Sequence, residues 1–188
     1  MSNPQTYTCG SCGKTHDQWP ALAYTSPANY NKLSEAEKSG IGELEEDFCI
    51  IRHPEQTDRY IRCTLSLPVV DNCESLEYGL WVSLSESSYQ DYRDHFDSED
   101  QDARYFGWLS SELADYTFDK SIPTTVFTRK GRQRPEIVPH REVDHPLVKD
   151  YYNGITKVEA ERRISAMMQQ VEERDKEKII RKPWWKIW

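Results

Sequence analysis

Apolar runs in the middle of the chain predict a β-sheet. Three runs rich in β-branched and aromatic residues cover positions 48–52, 60–70 and 78–84, and Pro-Glu and Asp-Asn turn signals separate them. In the second run, apolar residues from Ile61 to Leu67 alternate with polar ones, which is typical of a strand with one buried face. The short spacing predicts an antiparallel meander, with further strands at 124–128 and 136–138.

Helical signals flank this sheet. Residues 27–39 are bounded by Pro27 and Gly40 and predict one short surface helix, and Ser85 is the predicted N-cap of a polar helix that ends near Phe96. The acidic residues 97–102 are expected to form a solvated loop. Pro146 begins a short helix that ends at Gly154, since proline favours the first turn and glycine the position after the last.

An aromatic segment at 105–113 is interpreted as a buried helical turn or short helix. Tyr105, Phe106 and Trp108 could stack on a ligand, but Leu109 and Leu113 extend the same apolar surface. Core packing is therefore the favoured interpretation of this segment.

The last predicted helix begins at Thr156, which forms a capping box with Glu159. Apolar residues recur at helical spacing along one stripe, which is expected to face the core: Ala160, Ile164, Met167, Met168 and Val171. Every residue from 172 to 178 is charged, so the helix is expected to leave the core there and continue in water.

Length and composition limit what this chain can do. Its 188 residues suit one domain with an appendage, and the six Trp, eleven Tyr and five Phe supply a core despite a hydrophobic share of 37%. The formal charge of −8 repels phosphate backbones, so nucleic-acid binding is not expected. No apolar run is long enough for a transmembrane helix, and the first twenty residues do not resemble a signal peptide, so we expect a cytoplasmic protein.

The strongest chemical signal is the motif Cys9-Gly10-Ser11-Cys12-Gly13, followed by His16. A Cys-x-x-Cys turn brings two thiolates within tetrahedral reach of one ion, and thiolate-rich sites are usually closed structural zinc sites. His16 and Cys49 are the best candidates for the remaining two ligands, because His16 is local and Cys49 lies in a predicted strand. The sequence therefore predicts a structural zinc site.

Other interpretations of these residues remain open. A redox Cys-x-x-Cys usually opens a helix in a βαβ unit, which this glycine-rich segment does not resemble. Cys49 lies between Phe48 and Ile50 and is equally compatible with a buried thiol, while His16 is compatible with a surface side chain. Cys63 and Cys73 are expected to be inert.

The predicted organisation follows from these elements. It is an α+β fold with an antiparallel sheet, a few flanking helices and an N-terminal zinc knuckle at about residues 7–20. Residues 1–171 are expected to form a single domain. Residues 172–188 are expected to form a charged helix extension and a basic, Trp-rich tail.

The chain resembles a bacterial domain-of-unknown-function family, the one numbered 2199, over about residues 7–170. The resemblance rests on Cys9-x-x-Cys12-Gly13-x-x-His16, Asp47-Phe48-Cys49-Ile50, Tyr60-Ile61-Arg62 through Leu67-Pro68-Val69, Gly79-Leu80-Trp81-Val82-Ser83-Leu84, Tyr105-Phe106-Gly107-Trp108-Leu109, Arg134-Pro135, and Asp144-His145-Pro146-Leu147 with Gly154-Ile155. It implies one compact domain with a metal knuckle, in which Cys9, Cys12, His16 and Cys49 fall on family positions. It implies no activity.

Three functions are compatible with these features. The leading hypothesis is a non-enzymatic, zinc-stabilised domain that contacts another protein through Trp184, Trp185 and Trp188, because Trp and Arg dominate interface hot spots. A hydrolase-like enzyme with a cleft near His145 is the first alternative, although a structural histidine is favoured there. The second is association of the cationic tail with an anionic membrane surface, and the tail is equally compatible with packing on its own domain.

The zinc site gives a first prediction. Cys12→Ser is expected to remove bound zinc and to destabilise the fold, at least locally, because structural zinc contributes folding free energy on the order of 10 kcal/mol in small domains. Elemental analysis and thermal melting with and without a chelator measure both effects, and Cys73→Ser is the control. Melting curves that do not differ between Cys12→Ser and the unaltered protein would remove the structural role.

Overall fold

The structure is a computed structural model. It describes residues 6–8, 15–17 and 19–181, with side chains for residues 19–171 and 173. The strands are β1 Thr6–Thr8, β2 Thr15–Asp17, β3 Leu22–Ala23, β4 Gly42–Leu44, β5 Phe48–Arg52, β6 Thr57–Leu67, β7 Leu76–Leu84, β8 Arg104–Leu109, β9 Pro123–Phe127 and β10 Glu136–Pro139. The helices are α1 Ala28–Asn31, α2 Glu35–Gly40, α3 Glu86–Asp94, α4 Pro146–Asn153 and α5 Lys157–Arg181. The prediction of helices combined with a sheet is confirmed.

The sheet closes into a five-stranded barrel, so the prediction of a simple antiparallel sheet is wrong. Strands β6, β7, β8, β9 and β10 pair in that order, each antiparallel to the one before. An odd number of up-and-down strands leaves the first and last running in the same direction. Accordingly, β10 returns parallel to β6, with Glu136 opposite Thr64. Strand β3 extends the sheet on β7, and β5 and β4 extend it on β6.

Strand alternation fills the barrel interior with apolar side chains. Alternate residues of β6 and β7 point inward and are almost completely buried: Ile61, Cys63, Leu65, Leu67, Leu76, Tyr78, Leu80 and Val82. Gly107 of β8 must be a glycine, because a Cβ there would clash with the Val82 and Leu84 side chains and the Ser83 carbonyl. The interior is therefore packed by side chains and holds no channel of its own.

A second apolar cluster lies on the outer surface of β5, β6 and β7. Cys49, Ile51, Tyr60 and Trp81 are buried there beneath residues of the α1–α2 segment, among them Tyr30 and Leu33. The segment predicted as one helix is two, since Ser34 caps α2 with a complete capping box. The Trp81 indole donates a hydrogen bond to the Tyr24 carbonyl at 2.9 Å, which satisfies the buried polar group of this ring.

Residues 104–109 form strand β8 rather than the predicted helical turn. Their burial alternates strictly, with Tyr105 and Leu109 inside and Phe106 and Trp108 outside. Core packing is confirmed for Tyr105 and Leu109, but it is wrong for Phe106 and Trp108. The error follows from the assumed period, because helical spacing places neighbouring aromatic residues on one side whereas strand spacing divides them between two faces.

The predicted helices after residue 85 are present. Ser85 caps α3, whose Tyr89 and Tyr92 are buried against the barrel. Thr156 caps α5 by accepting a hydrogen bond from the backbone N–H of Glu159 at 3.2 Å. The apolar stripe of α5 is buried at Ala160 and Ile164, while Met168 and Val171 are largely exposed, and the helix continues without a break past residue 171.

A buried arginine joins α5 to α4 and to the barrel. Arg163 is 5% exposed, and its guanidinium donates to Asp150 Oδ2 at 2.8 Å and to Glu159 Oε1 at 2.7 Å. It also donates to the Tyr116 hydroxyl at 2.5 Å, and that hydroxyl donates to Asp150 at 2.6 Å. The arginines at 162 and 163 hold the pKa of Glu159 down at about 2. The stability that the ionised Glu159 carboxylate contributes is therefore present at neutral pH and is lost as the pH falls from about 4.5 towards 2.

Replacing Arg163 tests this network. Arg163→Met is expected to cost about 3 kcal/mol and to lower the melting temperature by about 9 °C, because it removes the cation that pairs with the partly buried Asp150 carboxylate. Lys157→Met is the matched control, since Lys157 also pairs with a carboxylate of α5, Glu161, but both side chains are about half exposed and the loss should cost less than about 1 kcal/mol. Thermal melting that shows equal losses for both variants would contradict the assignment.

Candidate functional site

The outward surface of β8, β9 and β10 carries exposed aromatic side chains. We call it the aromatic face and define it by Arg104, Phe106, Trp108, Thr125, Phe127, Val138 and His140. Three strands place these residues in rows, because Arg104 lies opposite Phe127 and Phe106 lies opposite Thr125. The face is thus built on the rigid wall of the barrel rather than on loops.

Ring contacts order the centre of the aromatic face. The Phe106 and Trp108 rings meet edge to face, with centroids 5.2 Å apart and planes at 88°. On its other side Phe106 contacts the His140 ring, with centroids 5.7 Å apart. His140 Nε2 lies 3.1 Å from Thr125 Oγ1, which fixes the imidazole. These contacts hold the aromatic rings in one arrangement and lower the entropy that a ligand would have to remove.

The exposure of this face contrasts with the rest of the barrel. Phe106 is 51% exposed and Trp108 is 45% exposed, whereas Trp81, which points outward from the neighbouring strand β7, is 0% exposed beneath the α1–α2 segment. Large apolar side chains that share one exposed surface commonly mark binding sites. The aromatic face is therefore the best candidate binding surface of the described chain.

A cation lies at one end of the face. The Arg104 guanidinium carbon lies 5.1 Å from the Phe127 ring centroid, in a cation–π contact. Among the described side chains Arg104 forms no ion pair, whereas Arg129 on the following turn pairs with Glu136 at 2.5 Å. The Arg104 guanidinium is therefore supported by the Phe127 ring and has no carboxylate partner among the described side chains.

A charged groove of about 850 Å³ lies beside the barrel closure and is the second candidate. Its Arg134 donates to Asp47 at 2.6 Å and to Glu46 at 3.1 Å, and burial followed by the nearby charge of Arg134 lowers the pKa of Arg62. Three of the stretches that carry the family resemblance meet here. Because Arg134 is already paired with carboxylates, we interpret the charged residues of this groove as contacts that stabilise the fold rather than as an ion-binding site.

His145 is held in a structural arrangement. Its Nδ1 accepts a hydrogen bond from the Leu147 backbone N–H at 3.1 Å, which makes it the N-cap of α4. Its Nε2 lies 2.9 Å from the Thr117 carbonyl, so the proton belongs on Nε2, and the ring stacks on Phe118 at 4.9 Å. Both nitrogens are engaged within the protein, which favours the structural role over that of a general base.

The predicted metal ligands are only partly within the described chain. Cys9 and Cys12 lie outside the described residues, and His16 lies on β2, whose backbone pairs with β1 opposite Tyr7. Cys49 is 1% exposed in the outer cluster, and burial raises the pKa of its thiol to about 12. Among residues with described side chains, no group of three His, Cys, Asp or Glu is arranged to hold a metal.

The tail residues Trp184, Trp185 and Trp188 also lie outside the described part. None of the helices within the described ranges combines the length and the apolar composition needed to cross a bilayer.

The sequence pattern identifies the aromatic segment but predicts that it packs in the core. The signal that identifies the face is the strict alternation of residues 104–109, in which Arg104, Phe106 and Trp108 share one side. A charged residue on that side indicates solvent, so the two aromatic residues that follow it at a period of two belong outside as well.

A family model described as an uncharacterised protein conserved in bacteria, DUF2199, matches residues 8–155. The comparison with curated proteins found no match, and neither did the comparison with solved structures. The matched range contains the whole barrel, the aromatic face and the Cys-x-x-Cys motif.

The role of His145 can be tested through stability. His145→Ala is expected to cost about 1 kcal/mol, because the α4 N-cap is lost, whereas Asn is a good N-cap and His145→Asn should cost clearly less. Denaturant unfolding of both variants measures the difference. A His145→Ala protein of unchanged stability would contradict the structural role.

Proposed function

We propose that this chain, which belongs to the DUF2199 family of uncharacterised bacterial proteins, is a zinc-stabilised protein-interaction domain without catalytic activity. We place its site of action in the cytoplasm. The single observation that carries the proposal is the pair of half-exposed rings, Phe106 and Trp108, on the outer wall of the barrel.

The energetics of the aromatic face favour a binding role. Trp and Phe side chains that a partner covers contribute large buried areas, and Trp is enriched among the residues that dominate interface energies. The edge-to-face packing of Phe106 on Trp108 and on His140 restricts these rings before a partner arrives. A partner would therefore gain apolar contact while losing little side-chain entropy from this surface.

The other candidate surfaces favour a structural role. The arginines that line the charged groove pair with Asp47, Asp97 and Glu136, and both nitrogens of His145 are engaged. These contacts support the interaction hypothesis over the hydrolase-like alternative.

Zinc is proposed to fasten the N-terminal segment, with Cys9, Cys12 and His16 as local ligands and Cys49 as the fourth. The pairing of β1 with β2, with Thr8 opposite Thr15, brings together the two ends of the segment that carries the Cys-x-x-Cys motif, which supports a shared ion there. For Cys49 the apolar surroundings are those of a core thiol. Zinc content after Cys49→Ala, compared with Cys12→Ser, separates the two roles of Cys49.

The tail is proposed as a second contact element. The tail combines Trp184, Trp185 and Trp188 with the basic residues Arg181, Lys182 and Lys186, so it suits a partner surface that is both apolar and acidic.

Site-specific photo-crosslinking tests the proposal in the cells that make this protein. A benzoylphenylalanine at position 106 is expected to give discrete protein adducts, because its ring would lie within the interface. The same group at position 158 is the matched control, since Val158 is 74% exposed on α5 and does not belong to the aromatic face. Adducts are identified by mass spectrometry. Identical adducts at both positions, or none at position 106, would contradict the interaction role of the face.

The same experiment separates the tail from the face. Deleting residues 183–188 should leave the adducts at position 106 in place if the face binds by itself. Flotation with anionic vesicles tests the membrane alternative, which requires binding that disappears with the tail.

A further inference from the structure

We propose that the aromatic face binds an extended acidic peptide segment of a partner protein, with an apolar anchor on Phe106 and Trp108 and a carboxylate at Arg104. The inference deepens the proposed function and rests on it. Its first support is the chemical composition of β8, which presents one cation and two aromatic rings on the same side.

Arg104 supplies the charge complementarity. Its guanidinium stacks on Phe127 at 5.1 Å, which supports one plane of the group and leaves its N–H edges available to an acceptor. The other arginines near this end of the barrel are occupied, since Arg129 pairs with Glu136 and Arg132 pairs with Asp97. A carboxylate is the acceptor whose geometry best matches a guanidinium edge.

The register of β8 sets the spacing that the ligand must have. Arg104 and Trp108 are four positions apart on one strand, so their backbones are separated by about 13 Å at the usual rise per strand residue. An extended peptide has nearly the same rise per residue. An acidic side chain three to five residues from an apolar anchor would therefore reach Arg104 while the anchor covers Phe106 and Trp108.

The ligand is expected to be held by side chains, because the aromatic face is an outward surface of the sheet and not a strand edge. Strand β8 is paired with β9 from Arg104 to Trp108 and with β7 from Gly107 to Leu109, so the backbone beside Trp108 already takes part in the barrel. Recognition by added main-chain hydrogen bonds needs a free strand edge. The sequence of the bound segment should consequently matter at the anchor and at the acidic position and little elsewhere.

A single-stranded nucleic acid is the competing ligand, because bases also stack on exposed aromatic rings. Such binding depends on several phosphate contacts, and the chain carries a formal charge of −8 with one unpaired cation on this face. The charge balance favours a peptide with few, well-placed carboxylates.

The full chain would be tested on an array of short synthetic peptides. Each peptide carries one Trp and one Asp in a Gly-Ser background, at every spacing from one to about seven residues and in both orders, with Asn and Lys in place of Asp as matched peptides. Binding is expected to be strongest for Asp at spacings of three to five and to weaken with salt. An oligothymidylate is included as the nucleic-acid probe.

Variants at position 104 identify the contact. Arg104→Gln is expected to weaken the best Asp peptide by about fivefold and to leave the Asn peptide unchanged. Arg104→Glu should reverse the preference from Asp to Lys. Arg52→Gln is the matched control, because it removes the same charge from an exposed strand position outside the face.

The outcomes separate this inference from the function on which it rests. Binding that does not distinguish Asp from Asn, that ignores Arg104, or that is absent for all peptides overturns the acidic-peptide assignment, as does tighter binding of the oligothymidylate. If discrete adducts still form at position 106, the interaction function stands and only the ligand class is wrong. If peptide binding and the adducts at position 106 are both absent, the proposed interaction function is wrong as well.

Discussion

Closure of the barrel between β6 and β10 is the constraint on which the other features depend. The two strands meet with Glu136 opposite Thr64, and the Thr64 backbone N–H donates to the Pro135 carbonyl at 2.8 Å. The ion pair of Arg134 with Asp47, at 2.6 Å, joins the β9–β10 turn to the start of β5 at the same place. Once the barrel is closed, each strand residue lies either in the packed interior or on the outer wall, and the side that it takes follows from its parity along the strand.

The outer wall is divided between two uses. On β5, β6 and β7 it carries Cys49 and Trp81 and is covered by the α1–α2 segment, which extends the core beyond the barrel. On β8, β9 and β10 it carries Phe106 and Trp108 in half-exposed positions. Trp81 and Trp108 both point outward from adjacent strands but have opposite environments. The α1–α2 segment covers Trp81, whereas Trp108 remains half exposed.

Much of this fold follows from local sequence signals, because those signals act over a few residues. The strands at 48–52 and 78–84, the Ser85 and Thr156 caps and the Gly154 terminus are each determined by neighbouring side chains. Barrel closure cannot be predicted from local signals, since it depends on β10 pairing with a strand about seventy residues earlier in the chain. The aromatic face was missed for a narrower reason: Gly107, which the crowded interior requires, weakens the strand pattern of residues 104–109 and favours a turn.

Gly107 also separates the residues of β8 that can be replaced from the one that cannot. The interior position between Phe106 and Trp108 tolerates no larger side chain, while the two positions beside it lie on the outer wall and are about half exposed. The outward residues of β8 can therefore be replaced without disturbing the hydrophobic interior. The barrel can in this way be given a different recognition surface without a new scaffold, which makes β8 a practical place to engineer specificity.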